Sequence, residues 1–404
     1  MKLLLISTRM GTAGVETLLL RMAKFLSEKG FHVDVLLMRE VDVDSANQLR
    51  QYANLYIGWK FRKLNDIFSK LGKDYYHCIY TFSFFPLIYT LYIKQKFFPS
   101  AKICFGVYHP YEYCWSFKSK TKLAKFAAEI IQNFPAENVF FMNQGMKDRH
   151  TEKLQHDFSL SPIIPVPVDV NSFQNAKRNF AFQTPYKIVS IGRITDFKTY
   201  NFTMIEVMAA LIQEGLAVEY HIYGDGELLP RLQQLIQHYK LQDYVFLHGP
   251  VPYTLFSSVL EDAFLFVGVG TALVEAAACK LPCLQGIEMD KKAESYGFFH
   301  ELTGYNLGEK NTDQPRYKMV DLIKQLMNYS EDAYREASYL SYKRSLDFAI
   351  DSVIKTFLDS LQGAKIVDYK VNHIKLIYML LNAIFLFVCR RANIATSLDN
   401  RYVE

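Results

Sequence analysis

The chain has 404 residues, half of them hydrophobic, with 31 Phe and 27 Tyr. That length exceeds what one hydrophobic core serves and fits about two domains. A net charge of +5, from 46 cations against 41 acids, excludes neither a nucleic-acid nor a membrane partner.

The distribution of charge is more informative. Between Arg50 and Lys125 stand 13 Lys/Arg and three acids (Asp66, Asp74 and Glu112), an excess of +10 that leaves the rest of the chain at −5. The six cysteines, at 78, 104, 114, 279, 283 and 389, form no CxxC pair and no metal spacing. A chain of this size needs no disulfides, which fits a reducing, cytoplasmic setting.

The opening "KLLLIS" is a short apolar run ending before Arg9, without the long apolar core or small-residue cleavage site of a signal peptide. It reads as a first strand. A glycine-bearing loop, "TRMGTAG", leads into a helix over "VETLLLRMAKFLSEKG", where Val15, Leu18, Leu19, Met22 and Leu26 recur at helical spacing and Gly30 takes the C-terminal cap. "FHVDVLLM" is the second parallel strand of a βαβ unit. Further strands are expected at "HCIYTF", "KICFGVY" and "NVFFMN". "SPIIPVPVDVNSF", rich in proline, reads as an exposed linker.

After it the plan restarts. "YKIVSIG", "VEYHIYGDG", "VFLHG" and "AFLFVGVG" read as strands, separated by the helices "NFTMIEVMAALIQEG" and "ELLPRLQQLIQHYKL" and followed by "TALVEAAACK". The expected fold class is α/β, with two Rossmann-like doubly wound domains facing across a cleft. The first spans 1–170, a hinge 171–185 and the second 186–345; C-terminal helices over 346–404 cross back to the first domain. The tail carries an apolar run over 374–389, broken only by Asn382 from Leu376 on. Fourteen helical residues rise about 21 Å, short of a bilayer core of roughly 30 Å. The tail is therefore an interfacial segment or a buried helix.

Ligands of open α/β sheets bind at the carboxyl ends of the strands. At one such end Arg193 is followed by Lys198, two cations that suit a diphosphate or are ordinary surface charges. Gly224 and Gly226 in "GDG" either admit a ligand to the backbone or form a plain tight turn. Gly268 and Gly270 precede a helix whose free amides suit a phosphate, with Thr271 as a candidate cap. Glu275, one turn further on among apolar neighbours, suits the vicinal hydroxyls of a ribose or is a solvated helical acid. In the first half, "GTAG" lacks the third glycine of a dinucleotide fingerprint, and Glu40 follows Arg39 instead of ending a strand. The dinucleotide signal is weak. His109 ends the strand "ICFGVY" at the cleft edge, as a site or a structural residue.

In order and spacing, these stretches resemble the family-four glycosyltransferases of the GT-B class over roughly residues 1–360. "GVETLLLRMAKFLSEKGFHVDVL" resembles the family's GGxE loop, helix and second strand. "IPVPVDVNSF" resembles its P-x-G-V-D-x-x-x-F linker, with Pro167 in place of glycine. "SIGRITDFK" resembles G-R-x-x-x-x-K, and "YGDGELLPRLQQL" and "VFLHGPVP" resemble G-D-G and F-x-G. "VEAAACKLP" resembles the close of the E-x7-E motif.

The resemblance implies transfer of a sugar from a nucleotide-diphosphate sugar, most commonly UDP-linked, with retention and without an obligatory metal or cofactor. It implies His109, Arg193 and Lys198 as catalytic residues. Gly14, Arg193, Lys198, Gly224, Gly270, Thr271 and Glu275 would bind the donor, with Glu275 on the ribose. The first acid of E-x7-E is missing: eight positions before Glu275 stands Val267, where the resemblance implies contact with the donor sugar, and the stretch from Asp262 to Gly270 is about four residues shorter than the resemblance implies.

Cations interleave with aromatics in "WKFRKLNDIFSKLGK" and "CWSFKSKTKLAKF", which suits an anionic membrane surface or a solvated helix face. Together with the tail and its closing Arg390–Arg391, this leads to an expected peripheral protein of the inner membrane face. Its expected acceptor is a lipid-linked saccharide of bacterial surface polysaccharide assembly, and no nucleic-acid partner is expected. Two other readings stay open, a sugar-nucleotide epimerase or dehydrogenase and a non-catalytic nucleotide-sugar-binding subunit.

Overall fold

The computed structural model describes residues 1–10, 14–39, 42–58, 60–114, 121–180, 184–310 and 314–391, with the side chains of 61 and 386–391 outside that description. The chain divides into two compact units. One takes in Met1–Pro167 and the chain from Val353 on, the other Val168–Ser352.

The first unit alternates strand and helix: β1 (Lys2–Ser7), α1 (Gly14–Glu28), β2 (His32–Leu37), α2 (Val43–Arg50), β3 (Asn54–Ile57), α3 (Phe61–Phe68), β4 (Cys78–Thr81), α4 (Phe84–Phe97), β5 (Lys102–Val107), α5 (Lys122–Asn133), β6 (Val139–Phe141) and α6 (Gln144–Leu154). Its sheet has the order β3-β2-β1-β4-β5-β6, with every pair parallel. Helices on both faces explain why Leu3, Leu4, Leu5 and Ile6 are all fully buried. Gly30, at φ 79°, closes α1 as the sequence leads one to expect. α4 is apolar all round and buried nearly throughout, as such a helix must be.

The second unit holds β7 (Tyr186–Ile191), α7 (Tyr200–Gln213), β8 (Val218–Tyr223), α8 (Leu229–His238), β9 (Val245–Gly249), β10 (Leu265–Gly268), α9 (Thr271–Ala278), β11 (Cys283–Gly286), β12 (Glu294–Phe298), β13 (Tyr317–Lys318), α10 (Met319–Met327) and α11 (Glu331–Ser345). Its sheet runs β13-β12-β11-β10-β7-β8-β9, parallel from β11 to β9, with β12 and β13 antiparallel at one edge. α12 (Ile350–Gly363) and α13 (His373–Arg391) end the described chain.

Two expectations change. The proline-rich stretch is no exposed linker: Ile164, Val168 and Val170 are buried. Its backbone is paired on both sides, the Ile164 amide donating to Phe141 at 2.8 Å and the Val168 amide to Phe348 at 2.8 Å. Proline suits such a path because much of it makes no ladder, and rigid φ lowers the entropy lost on ordering.

The tail helix, for its part, is neither simply buried nor simply interfacial. α13 packs on α4 and α5 through Leu376, Met379, Leu380 and Ala383, and the Lys375 Nζ reaches Glu129 at 2.8 Å. Its other face exposes Ile374, Ile377, Tyr378, Leu381, Ile384 and Phe385. No helix among the described residues is long and apolar enough to cross a membrane.

Candidate active site

In the second unit the strand order reverses between β7 and β10, which is where a doubly wound sheet opens a crevice beyond its strand ends. The loops leaving those two strands, 192–199 and 269–270, carry Arg193, Lys198 and Gly270. The backbone there is tightly nested. The Gly192 amide donates to the Tyr223 carbonyl at 2.9 Å and the Ile194 amide to Asp225 at 2.7 Å. A Cβ on Gly224 would lie 1.9 Å from the Gly192 oxygen, and one on Gly226 2.2 Å from the Ile194 oxygen. The close approach that requires glycine at 224 is thus made to the neighbouring strand end, and the tight-turn reading accounts for it.

Lys198 folds back over β7, its Nζ 3.2 Å from where a Gly192 Cβ would stand. Burial lowers the pKa of its ammonium and the nearby Arg193 lowers it further, against the pull of Glu288 and Glu275. Arg193 is exposed at the strand end. Neither cation has a hydrogen-bond or ion-pair partner among the described residues. Two neighbouring cations at a strand end, partly offset by Glu288 and Glu275, are an arrangement that an anionic ligand further relieves.

The helix α9 starts at Thr271, and the cap position belongs to Gly270. This corrects the expectation for Thr271. Gly270 has φ 72°, which only glycine adopts cheaply, and its outward face is open, since a Cβ there would meet nothing within 4 Å. Its amide is tied to the Leu307 carbonyl at 2.7 Å. The Leu273 amide turns back to the Gly270 carbonyl at 3.1 Å, and the start of α9 is a positive helix end.

Glu275 is not solvated. It is 4% exposed, and its Oε1 accepts from the Tyr253 hydroxyl at 3.2 Å. Desolvating a carboxylate is costly unless hydrogen bonds compensate, and the Tyr253 hydroxyl supplies one of them.

Val267 resolves differently from its sequence reading. It lies inside β10, fully buried in the core with Ile188, Tyr220 and Leu284, and the Ser190 hydroxyl donates to its carbonyl at 2.6 Å. A residue there reaches no ligand. The position does not hold a replaced site residue; the loop that would carry an acid is absent, because only Val269 and Gly270 separate β10 from α9.

The structure adds two acids that the sequence reading missed. Glu288 follows β11, its amide bonded to the Gly308 carbonyl at 2.8 Å, while the Met289 amide reaches the Phe197 carbonyl beside Lys198 at 2.9 Å. Glu309 turns back so that its Oε2 accepts from the Leu307 amide at 2.8 Å. Burial pushes the Glu288 carboxyl up to about 8, aided by the charge of Glu309 and opposed by Lys198. Burial likewise raises the pKa of Glu309, opposed by the Leu307 amide. Neither acid lies in a motif, and no spacing links them; only the loop that crosses back over Val269 brings them together.

In the first unit the strand order reverses between β1 and β4. Arg9, past β1, pairs with the buried Glu16 of α1 at 3.1 Å. Gly14 is the exposed first residue of α1 with open space around its Cα, and the loop before it, 11–13, lies outside the described residues. His109, past β5, is half-buried, and its Nδ1 accepts from the Tyr111 amide at 3.2 Å. With Nδ1 accepting, the neutral ring carries its proton on Nε2. Glu112 is buried beside it but accepts from the Phe84 amide at 3.1 Å, a structural role at the start of α4.

Residues 172–286 match the family model described as Glycosyl transferases group 1. The matched stretch runs from before β7 through β11 of the second unit. The poly(ribitol-phosphate) alpha-N-acetylglucosaminyltransferase of Staphylococcus aureus is 30% identical over 50% of this chain and 34% of its own. The amylovoran biosynthesis glycosyltransferase AmsK of Erwinia amylovora is 32% identical over 27% of this chain and 29% of its own. Matched stretches thus span about a third or less of these relatives. In fold the likeness reaches further. The Anabaena HepE structure, solved in complex with UDP-glucose, superposes with a TM-score of 0.63 over 90% of this chain and 99% of its own, at 14% identity. The architecture is that of the GT-B glycosyltransferases, two Rossmann-like α/β units. The glycosyl transferases group 1 segment contains Arg193, Lys198, Gly224, Gly270, Thr271 and Glu275, whereas Gly14, His109 and Glu309 lie outside it.

Proposed function

We propose that this protein is a retaining glycosyltransferase that moves a sugar from a nucleotide-diphosphate sugar, UDP-linked by default, to a saccharide acceptor without a metal. The observation that carries the reading is the pair Arg193 and Lys198, at the β7 end beside the open Gly270 turn and the buried Glu275. Cations and helix amides stabilise the diphosphate as the glycosidic bond breaks, where charge develops on the leaving oxygen. Glu275 accepts from the ribose hydroxyls. Holding the acceptor on the face from which the diphosphate departs gives retention without a protein nucleophile, and His109 is the first unit's candidate catalytic residue.

The relatives named for poly(ribitol-phosphate) glycosylation and amylovoran biosynthesis support an acceptor in surface polysaccharide assembly, which we take to be lipid-linked. The exposed apolar face of α13 and the exposed cations Arg62 and Lys63 of α3 support peripheral contact with the anionic inner face of the cytoplasmic membrane. The short β10–α9 loop favours a second reading, a nucleotide-sugar-binding subunit without turnover. Thermal-shift screening with UDP-, GDP- and CDP-sugars, followed by turnover of the best binder, separates them. Turnover abolished in Arg193→Ala is expected; binding without turnover supports the second reading, and no shift with any nucleotide overturns both.

A further inference from the structure

The second unit contains a charged cluster that diphosphate binding does not use. The loop 305–309 is fixed rigidly against the strand ends. Asn306 accepts from the Gly308 amide at 2.8 Å and donates to the Glu309 carbonyl at 3.0 Å, and the Tyr296 hydroxyl donates to the same carbonyl at 3.2 Å. Gly308 sits at φ 117°, so close that a Cβ would lie 2.5 Å from Val269 Cγ1 and 2.9 Å from the Gly286 oxygen. No other residue lets this loop lie so near Gly270. Through it, Glu309 is presented next to Glu288, and Glu288 next to the loop that carries Lys198.

Three half-buried ionisable groups then stand close together. Glu309 spends one carboxyl oxygen on the Leu307 amide. The Glu288 carboxyl and the Lys198 ammonium have no hydrogen-bond or ion-pair partner among the described residues. Neighbouring carboxyls cannot both ionise cheaply, and one retained proton leaves the pair both a donor and an acceptor. Such a pair repels phosphate. It matches a group that both donates and accepts, and a ring carrying vicinal hydroxyls is that group.

We infer that Glu288, held in place by Glu309 and the 305–309 loop, binds hydroxyls of the transferred sugar and sets which sugar is accepted. Lys198 divides the crevice, with the diphosphate on its Arg193 side and the sugar on its Glu288 side. The inference rests on the nucleotide-sugar reading above.

Calorimetric titration of the full chain with UDP, UDP-glucose, UDP-N-acetylglucosamine and GDP-mannose tests it. In Glu288→Gln and in Glu309→Gln, the preferred nucleotide sugar loses about 10- to 100-fold in affinity, the range of a hydrogen bond to a charged group, while the bare diphosphate changes less than about threefold. The rank order among the sugars also flattens. Equal losses for sugar and bare diphosphate, or no loss in either variant, overturn the inference and leave the nucleotide-sugar reading standing. Absence of binding by the unaltered chain overturns that reading itself. Thermal melts of both variants separate misfolding from lost recognition; a variant melting well below the parent assigns the pair a structural role and also overturns the inference.

Discussion

The two units share one architecture and differ in what stands at their strand ends. Both are doubly wound parallel sheets with a reversal of strand order, at β1/β4 in one and β7/β10 in the other. In the second unit the reversal gathers charge: Arg193, Lys198, Glu275, Glu288 and Glu309, several of them desolvated. In the first, the corresponding ends gather rings. The Tyr80 and Tyr108 hydroxyls meet at 2.7 Å, Phe82 stacks on Tyr108, and His109 is half-buried beside Tyr111. The same topology therefore carries different strand-end residues, charged ones in the second unit and mainly buried rings beside the Arg9–Glu16 pair in the first. Function is set by the strand-end residues, not by the fold.

The comparison makes separable predictions, the largest on the ionic side. Arg193→Ala or Lys198→Ala lowers transfer on the order of 10²–10³-fold, as expected for loss of one preorganised group facing developing charge, and weakens nucleoside diphosphate binding in parallel. Steady-state rates alongside calorimetry check this. Glu275→Ala weakens the same binding by about 10- to 100-fold, with Tyr253→Phe giving a smaller loss.

His109→Ala sharpens the contrast between the units. It is expected to lower kcat by about 100-fold, the range of a positioned proton donor, and to leave diphosphate affinity unchanged. A parallel loss of affinity would merge the two roles. Ile374→Asp with Leu381→Asp, on the outer face of α13, is expected to abolish flotation with anionic liposomes while sparing turnover of a soluble acceptor.

The smallest effect is on stability. Glu288 has a folded pKa of about 8 against an ordinary 4.5. Because the native state keeps its proton to higher pH, the unfolded state releases protons first. Stability is therefore full below about pH 4.5 and declines as pH rises through about 8. Removing that liability, Glu288→Gln raises the melting temperature by a few degrees (about 2–4 °C per kcal/mol for a unit this size) at pH 8.5 and hardly at all at pH 5.

Much of this was legible in the sequence, for identifiable reasons. The strands at 2–7, 32–37, 78–81, 102–107, 139–141, 186–191, 218–223, 245–249 and 265–268 are short apolar runs, because parallel strands are covered on both faces. Arg193, Lys198 and Glu275 stood out because strand ends and helix starts are where such folds bind ligands.

What escaped reading depended on distant contacts. The acids Glu288 and Glu309 are 21 positions apart in polar loops and meet only through backbone bonds made by Gly308 and Leu307. Val267 looked like a vacant site position because spacing counted back from Glu275 does not reveal where β10 ends. Thr271 looked like a cap because hydroxyls favour that position, yet the turn demands a positive φ that only Gly270 supplies. The strands β12 and β13 are short and lie at the sheet edge, with no apolar run to announce them. α13 reads as one apolar segment, and only packing on α4 and α5 separates its buried face from its exposed one.

The central claim, that the ionic strand ends of the second unit hold the diphosphate of a nucleotide sugar, is tested most directly by one titration. UDP, GDP and CDP are added in turn to the unaltered full chain and to Lys198→Ala. The account predicts micromolar binding of one diphosphate by the parent and a loss of at least about tenfold in the variant. No binding of any diphosphate by the parent at millimolar concentration, or equal binding by both proteins, would contradict it.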